Sequence, residues 1–189
     1  MPERSDEEVA RVIQQGDTES FGLLMERYEA KMARYAKKFL FDSEDSQDLT
    51  QEVFIKAYTN IQSFDIEKKF SSWLYRIAHN TFINALRKKS KIHIFSLDAD
   101  LLFPHSIVRE AAVSDTERQE LRTLLELGLN TLAPKYREPL VLHYFEDLSY
   151  QEIAEVLRIP VSTVGVRLQR SKAKLKKFLS QREKYDART

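Results

Sequence analysis

Phe21, Leu24, Met25, Tyr28, Met32, Tyr35 and Phe39 recur at intervals that place them on one face of a helix, and this stripe excludes most folds for the first half of the chain. A strand turns alternate residues to opposite faces, whereas an α-helix of about 3.6 residues per turn gathers such a set on one side. The spacing predicts a long helix, opened by Asp17 or Thr18, with all seven side chains in a core. The same period appears on either side. Ser5 with Glu8 has capping-box spacing ahead of Val9, Val12 and Ile13, and Gly16 is the expected stop. Asp42 and Ser43 open a further helix with Leu49, Val53, Ala57 and Ile61 inward and Asp45, Asp48 and Glu52 along another face. Asp42, Glu44 and Asp45 fall in its first turn, where they oppose the helix dipole; Asp48 and Glu52 lie farther in. That face is either simply solvated or, with Gln51, Phe54 and Ile55 beside it, a protein-docking surface.

The stretch Lys68 to Lys91 carries Lys68, Lys69, Arg76, Arg87, Lys88, Lys89 and Lys91 with no Asp or Glu, and sets Phe70, Trp73, Tyr75 and Phe82 among them. Phe70, Trp73, Leu74, Ile77, Ala78, Thr81 and Ala85 belong to the core side of a helix. Arg76, Asn80, Asn84, Arg87 and Lys91 recur on another face as a ladder of amides and cations. An amide pairs with a base edge and a guanidinium grips a phosphate or a guanine, so the ladder suits nucleic acid; a solvated basic face is the plainer use of the same residues. The preceding segment, Ser63 to Lys69, reads as a loop, and its Phe64 either covers the underside of that loop or meets a partner.

After Lys91 the helical period fades, and about twenty residues without a sustained face are uncommon inside one compact domain. Two helical domains are therefore expected: residues 1 to 92, a flexible linker over 93 to 116, and residues 117 to 189. Charge divides the same way. The first part holds fifteen basic and fifteen acidic side chains, the linker one and four, and the last part fourteen and ten, so a formal net charge of +1 conceals nets of 0, −3 and +4. Acid at Asp42 to Glu52 and base at Lys68 to Lys91 and Arg167 to Lys177 imply different partners for different surfaces.

In the last part Thr116 with Gln119 caps a helix with Leu121, Leu124, Leu125 and Leu132 inward. Pro134 breaks it, and Lys135 to Phe145 restarts with Pro139 near its first turn, Leu140, Val141, Tyr144 and Phe145 in the core, and Arg137 exposed. Ser149 and Glu152 form a second capping box before Ile153, Ala154 and Leu157. Arg158, Ile159 and Pro160 make a compact turn, and Ser162 caps a helix running to about Leu179, with Val161 and Val166 as a hydrophobic staple and Val164, Leu168 and Leu175 inward. This is the grammar of a helix-turn-helix, though a plain helical hairpin with a basic tail shares it. Outward lie Ser162, Thr163, Arg167, Arg170 and Ser171, then Lys172, Lys174, Lys176 and Lys177, suited to base edges first and phosphates after.

Other chemistries find little here. The chain has no Cys, which removes disulfides, thiol catalysis and Cys-based zinc sites, and His79, His93, His105 and His143 show no paired ligand spacing, so no metal and no cofactor are expected. No Gly-rich phosphate loop or Ser/His/Asp arrangement occurs, and the carboxylates near Asp48 lack a pocket signal, so an enzyme is not expected. With 42% hydrophobic and 31% charged residues and no signal-like N-terminus, the expected location is the cytoplasm without membrane insertion.

DLTQEVFIKAY at Asp48 to Tyr58, FSSWLYRIAHN at Phe70 to Asn80 and LSYQEIAEVLRIPVSTVGVRL at Leu148 to Leu168 resemble, in order, the three most recognisable blocks of the extracytoplasmic-function group of bacterial sigma factors, the promoter-specificity subunits of RNA polymerase. The resemblance implies an all-α chain of two small helical domains, sigma regions 2 and 4, joined by a flexible linker. It implies that Asp48, Gln51, Glu52 and Phe54 grip the clamp helices of the largest polymerase subunit, and that region 4 touches the flap. Phe64, Lys68 and Lys69, with Arg76, Asn80, Asn84 and Arg87, would read and hold open the downstream promoter element; Ser162, Thr163, Arg167 and Arg170, with Ser171 and Lys174, would take the upstream element. The linker would thread toward the active-site and RNA-exit channel. An anti-sigma protein is a further implied partner, and no small-molecule substrate is. The alternative is a stand-alone helix-turn-helix regulator that binds duplex DNA without joining polymerase. Gly165 and Val166 depart from the family pattern, and Gly within a helix costs about 1 kcal/mol relative to Ala, which points to close backbone approach or an unusual upstream motif.

Overall fold

The computed structural model describes residues 4–40, 43–89 and 116–186. Its described residues form α1 (Asp6–Gln14), α2 (Phe21–Leu40), α3 (Ser43–Asn60), α4 (Phe70–Lys89), α5 (Thr116–Asn130), α6 (Pro134–Tyr144), α7 (Tyr150–Leu157) and α8 (Val161–Asp186), with single 3₁₀ turns at Thr18–Ser20 and Ile61–Ser63. The linker expected between the two helical units lies outside the described residues, as do Phe41, Asp42 and Lys91 and the side chains of Glu44 and Asp45.

Local chemistry sets the ends of these helices. Ser5 Oγ accepts from the Glu8 amide while the Glu8 carboxylate accepts from the Ser5 amide, satisfying two donors that a helix start leaves open. Ser149 and Glu152 repeat the arrangement at α7. Gly16, at φ +110°, makes the left-handed step that lets the chain leave α1, and Asp17 then accepts from the Ser20 amide. Arg158 adopts the left-handed conformation that ends α7 and turns the chain toward α8.

The first unit packs α1 to α4 around aromatic rings. Tyr35 sits with ring centroids 5.9, 5.7 and 5.1 Å from Phe39, Tyr75 and Phe82, and a second group joins Phe64, Phe70 and Trp73 at 5.2 to 5.6 Å. These separations and tilts are those in which aromatic pairs attract beyond simple burial. Six of the seven stripe positions on α2 are buried; Met25 is exposed.

The second unit folds α5, α6 and α7 against α8, over Leu129, Leu132, Leu140, Leu142, Ile153, Val156, Val164 and Leu168. Gly128 marks the crossing of α5 and α8, where an added Cβ would stand 2.4 Å from Leu175 Cδ1. Several positions here differ from those expected from spacing. In α6, Tyr136 through Leu142 are all buried, because the helix is enclosed by α8 and α7 on its own side and by α2 of the first unit on the other. Arg137, expected outside, is 5% exposed: its Nη1 donates to the Phe39 carbonyl at 2.9 Å, and burial lowers its pKa to about 10 despite Glu138 beside it. It thereby caps an open carbonyl at the end of α2. Pro139 lies in the second turn rather than the first. Tyr144 and Leu121, expected inside, are exposed. Val161 and Val166 are also exposed, so the staple does not close; the Pro160 carbonyl accepts from the Thr163 and Val164 amides, leaving Ser162 inside the first turn of α8 instead of at its cap.

The two units also touch through charged and phenolic groups. Glu138 of α6 accepts from Tyr35 Oη at 2.5 Å and lies 2.6 Å from His79 Nδ1. Glu146 accepts from Arg34 Nε and Nη2, both at 2.8 Å, and from Tyr75 Oη at 2.8 Å. Burial, reinforced by these carboxylates, pushes both phenols far above their ordinary pKa. It also raises the Glu146 carboxyl against the opposing pull of Arg34 and Tyr75.

Candidate nucleic-acid interface

α4 sinks Phe70, Leu74, Ala78, Thr81 and Phe82 into the core, and this fixes what its other side presents. Asn80, Asn84 and Arg87 are exposed and Arg76 half-buried along one face, with Arg87 Nη1 3.5 Å from Asn84 Oδ1. The ladder expected from spacing is thus present as a surface. Just before it, the loop carries Lys68, exposed and 3.6 Å from Asp65, and Lys69. Phe64 is 4% exposed and packs on Phe70 and Trp73, so its ring covers the underside of the loop and does not stand on the surface. Between loop and helix lies a cavity of about 130 Å³ bordered by Phe64, Lys69, Ser72, Trp73 and Arg76.

The other unit forms part of this site. α7 packs against α4, Glu155 borders the cavity, and Lys69 Nζ donates to Glu152 Oε1 at 2.8 Å. Burial alone would raise the Glu152 carboxyl, but hydrogen bonds from Lys69 and Ser149 outweigh it and hold the group at about 2.

α8 offers a second surface. Ser162, Arg170 and Lys174 are exposed and Thr163 and Arg167 half-buried. Ser171 is not part of that surface; it is fully buried and donates to the Tyr136 and Arg167 carbonyls, tying α8 to α6. Val166, assigned from spacing to a staple, stands exposed one turn from Ser162 and Arg170, an apolar group within a polar surface. The interval from Ser162 to Val166 is four residues, which suits a staple and an outward face equally, so spacing alone does not show that Val166 is exposed. Gly165 has only the Tyr150 ring near the place a Cβ would take, at 3.9 Å, so nothing among the described residues requires Gly there.

On α3, Asp48, Gln51 and Glu52 are exposed, Glu52 pairing with Lys56 at 2.6 Å. Phe54 is 5% exposed and belongs to the core, whereas Ile55, expected with it beside the acidic face, is 63% exposed there. One residue of helix rotates about 100 degrees, enough to bury one side chain and expose the next.

Residues 24–92 match the family model Sigma-70 region 2, and residues 122–175 match Sigma-70, region 4. Over 181 residues the chain is 35% identical to the ECF RNA polymerase sigma factor SigW of Bacillus subtilis, covering 88% of this chain and 92% of the relative. The chain belongs to the extracytoplasmic-function sigma factors. The ECF RNA polymerase sigma-E factor of Escherichia coli is 32% identical over 176 residues, covering 89% of this chain and 91% of that one. Among solved structures, CnrH in complex with the cytosolic domain of CnrY aligns at a TM-score of 0.70 and 26% identity, over 94% of this sigma factor and 99% of CnrH. The sigma factor RpoE of Bartonella quintana, in complex with the anti-sigma factor NepR, shares the fold at a TM-score of 0.68 and 22% identity, over 85% and 96%. As a sigma factor the chain directs transcription; it belongs with initiation factors rather than catalysts. No described helix is long and apolar enough to cross a membrane.

Proposed function

We propose that this sigma factor binds core RNA polymerase, sets both units on a promoter, and opens the downstream element by capturing an unstacked base beside α4. Capture needs no bond chemistry. A transient open state is selected because it binds better than duplex, and that differential affinity supplies the free energy of opening. The observation that carries the reading is the row of half-buried Arg76 and exposed Asn80, Asn84 and Arg87 running from a ring-walled cavity along one face of α4. Amides and cations along the row hold the strand, while the cavity takes a base that has left the stack.

Asp48, Gln51 and Glu52, with Ile55 in the place expected of Phe54, form the surface for the clamp helices of the largest polymerase subunit. Ser162, Thr163, Val166, Arg167 and Arg170 face the upstream element, Val166 suited to a thymine methyl, with Lys174 on phosphate. Region 4 also meets the polymerase flap. α7 of the second unit lies against the α4 reader and closes one side of its cavity, so the units must part for a strand to reach it. Polymerase binding therefore parts the units before both elements are read. An anti-sigma partner is proposed because CnrH and RpoE were solved with CnrY and NepR.

Run-off transcription with sigma-free core polymerase on a promoter library tests the reading. The chain should direct defined starts from a subset of templates. Tight binding of the chain alone to duplex DNA, with no effect on polymerase, would instead make it a stand-alone regulator.

A further inference from the structure

We propose that the Ser72 hydroxyl is the group that reads the captured base, and so sets which base the chain prefers at that position; this rests on α4 being the downstream-element reader. Ser72 is the third residue of α4 and 8% exposed, yet its Oγ is buried with no hydrogen-bond partner. A serine or threonine hydroxyl in a helix can bond back to the carbonyl four residues earlier. Thr50, Thr59 and Ser171 do so, to Ser46 at 2.7 Å, Ile55 at 2.9 Å and Arg167 at 2.6 Å, whereas the Ser72 hydroxyl makes neither that bond nor another among the described residues. An unpaired buried hydroxyl is unfavourable and calls for a physical reason.

The surroundings supply one. Ser72 borders the cavity of about 130 Å³ together with the rings of Phe64 and Trp73 and the cations of Lys69 and Arg76. A base entering there would set its faces against apolar ring atoms and its polar edge toward the hydroxyl, while the cations meet the strand phosphates. A serine hydroxyl both donates and accepts, so its single pairing depends on which edge the base brings. The cations lack that choice, since they only donate. Glu155 of α7 closes one side of the cavity, and Glu152 holds Lys69, so α7 must leave before a base can enter.

The test uses the full chain and its Ser72→Ala variant, each assembled with core polymerase, against short single strands in which every position carries each of the four bases or no base. For the native holoenzyme one position should show a base preference. Ser72→Ala should flatten the preference at that position by roughly five- to tenfold, the factor one well-made hydrogen bond supplies, and leave the abasic strand and the other positions unchanged. The thermal midpoint of the variant should hold or rise, since no hydrogen bond within the protein is lost. Undiminished preference in the variant, equal weakening toward all strands, or a lowered midpoint would overturn the role of Ser72 while leaving α4 as a promoter reader. Absence of any base preference in the native holoenzyme would remove that reading too.

Discussion

The helices proposed to meet DNA, α4 and α8, are held in opposite ways. Aromatic side chains from α2 and the Phe64 loop grip α4 from Phe70 to Phe82, so its outward amides sit at fixed heights over a dense core. α8 is anchored by Val164, Leu168 and Ser171, and beyond Ser171 none of its described side chains is fully buried. A rigid face can favour one geometry of a strand over another; a cationic helix leaving its core acts mainly through charge. Substitutions on α4 should therefore change a step in initiation, and substitutions on α8 should change affinity and its salt dependence.

The largest effect should come from breaking the seat of α4. Phe82→Ala removes a fully buried ring that contacts Tyr35, and should cost about 3–5 kcal/mol in urea unfolding. Next is the seam between the units. Glu146→Ala leaves the buried Tyr75 hydroxyl without its acceptor and should cost about 1–3 kcal/mol, with a larger radius of gyration by small-angle scattering as the units part. Unchanged scattering would mean that the seam holds without this carboxylate. On the reading face itself, Asn80→Ala should slow promoter opening by about tenfold, equivalent to about 1.4 kcal/mol, with initial binding nearly unchanged. On α8, Lys174→Ala should weaken binding evenly across promoter sequences and lower the slope of log affinity against log salt by about 1.

The smallest effect concerns pH and tests the seam again. Burial raises Glu146 above its ordinary 4.5, so the packed state binds that proton more tightly than the unpacked one, and this group makes packing stronger as pH falls toward 4.5. Glu152, held at about 2, works oppositely: its contribution is complete above 4.5 and is lost as pH falls from there toward 2. Stability should therefore gain slightly on mild acidification and then drop. Glu146→Gln should remove the gain and Glu152→Gln the contribution lost in acid, both measured as urea midpoints across pH.

Features decided within one turn of chain are legible in the residues themselves. The capping boxes at Ser5 and Ser149, the stop at Gly16 and the inward row of α4 depend on neighbours three or four residues away. Failures cluster where a distant element decides. Arg137 reads as a surface cation until the end of α2 brings it the Phe39 carbonyl, and Ser171 reads as a DNA contact until α6 brings it the Tyr136 carbonyl. Phe54 and Ile55 are adjacent apolar residues on a helix, and only the packing of α3 shows which is buried. At the candidate site, the amide ladder is visible as spacing, whereas the cavity is not. It is made by a loop, a helix start and Glu155 from the other unit, and no local pattern joins those three.

Opening of DNA by α4 holding an unstacked base is read out by the fluorescence of a base analogue placed in the downstream element of a cognate promoter. Holoenzyme with the native chain should bring a rise in fluorescence as the base leaves the stack, and holoenzyme carrying Asn80→Ala should bind the same promoter with nearly the same affinity while losing most of that rise. An equal rise, at an equal rate, in the two holoenzymes would mean that Asn80 on α4 does not hold the unstacked base.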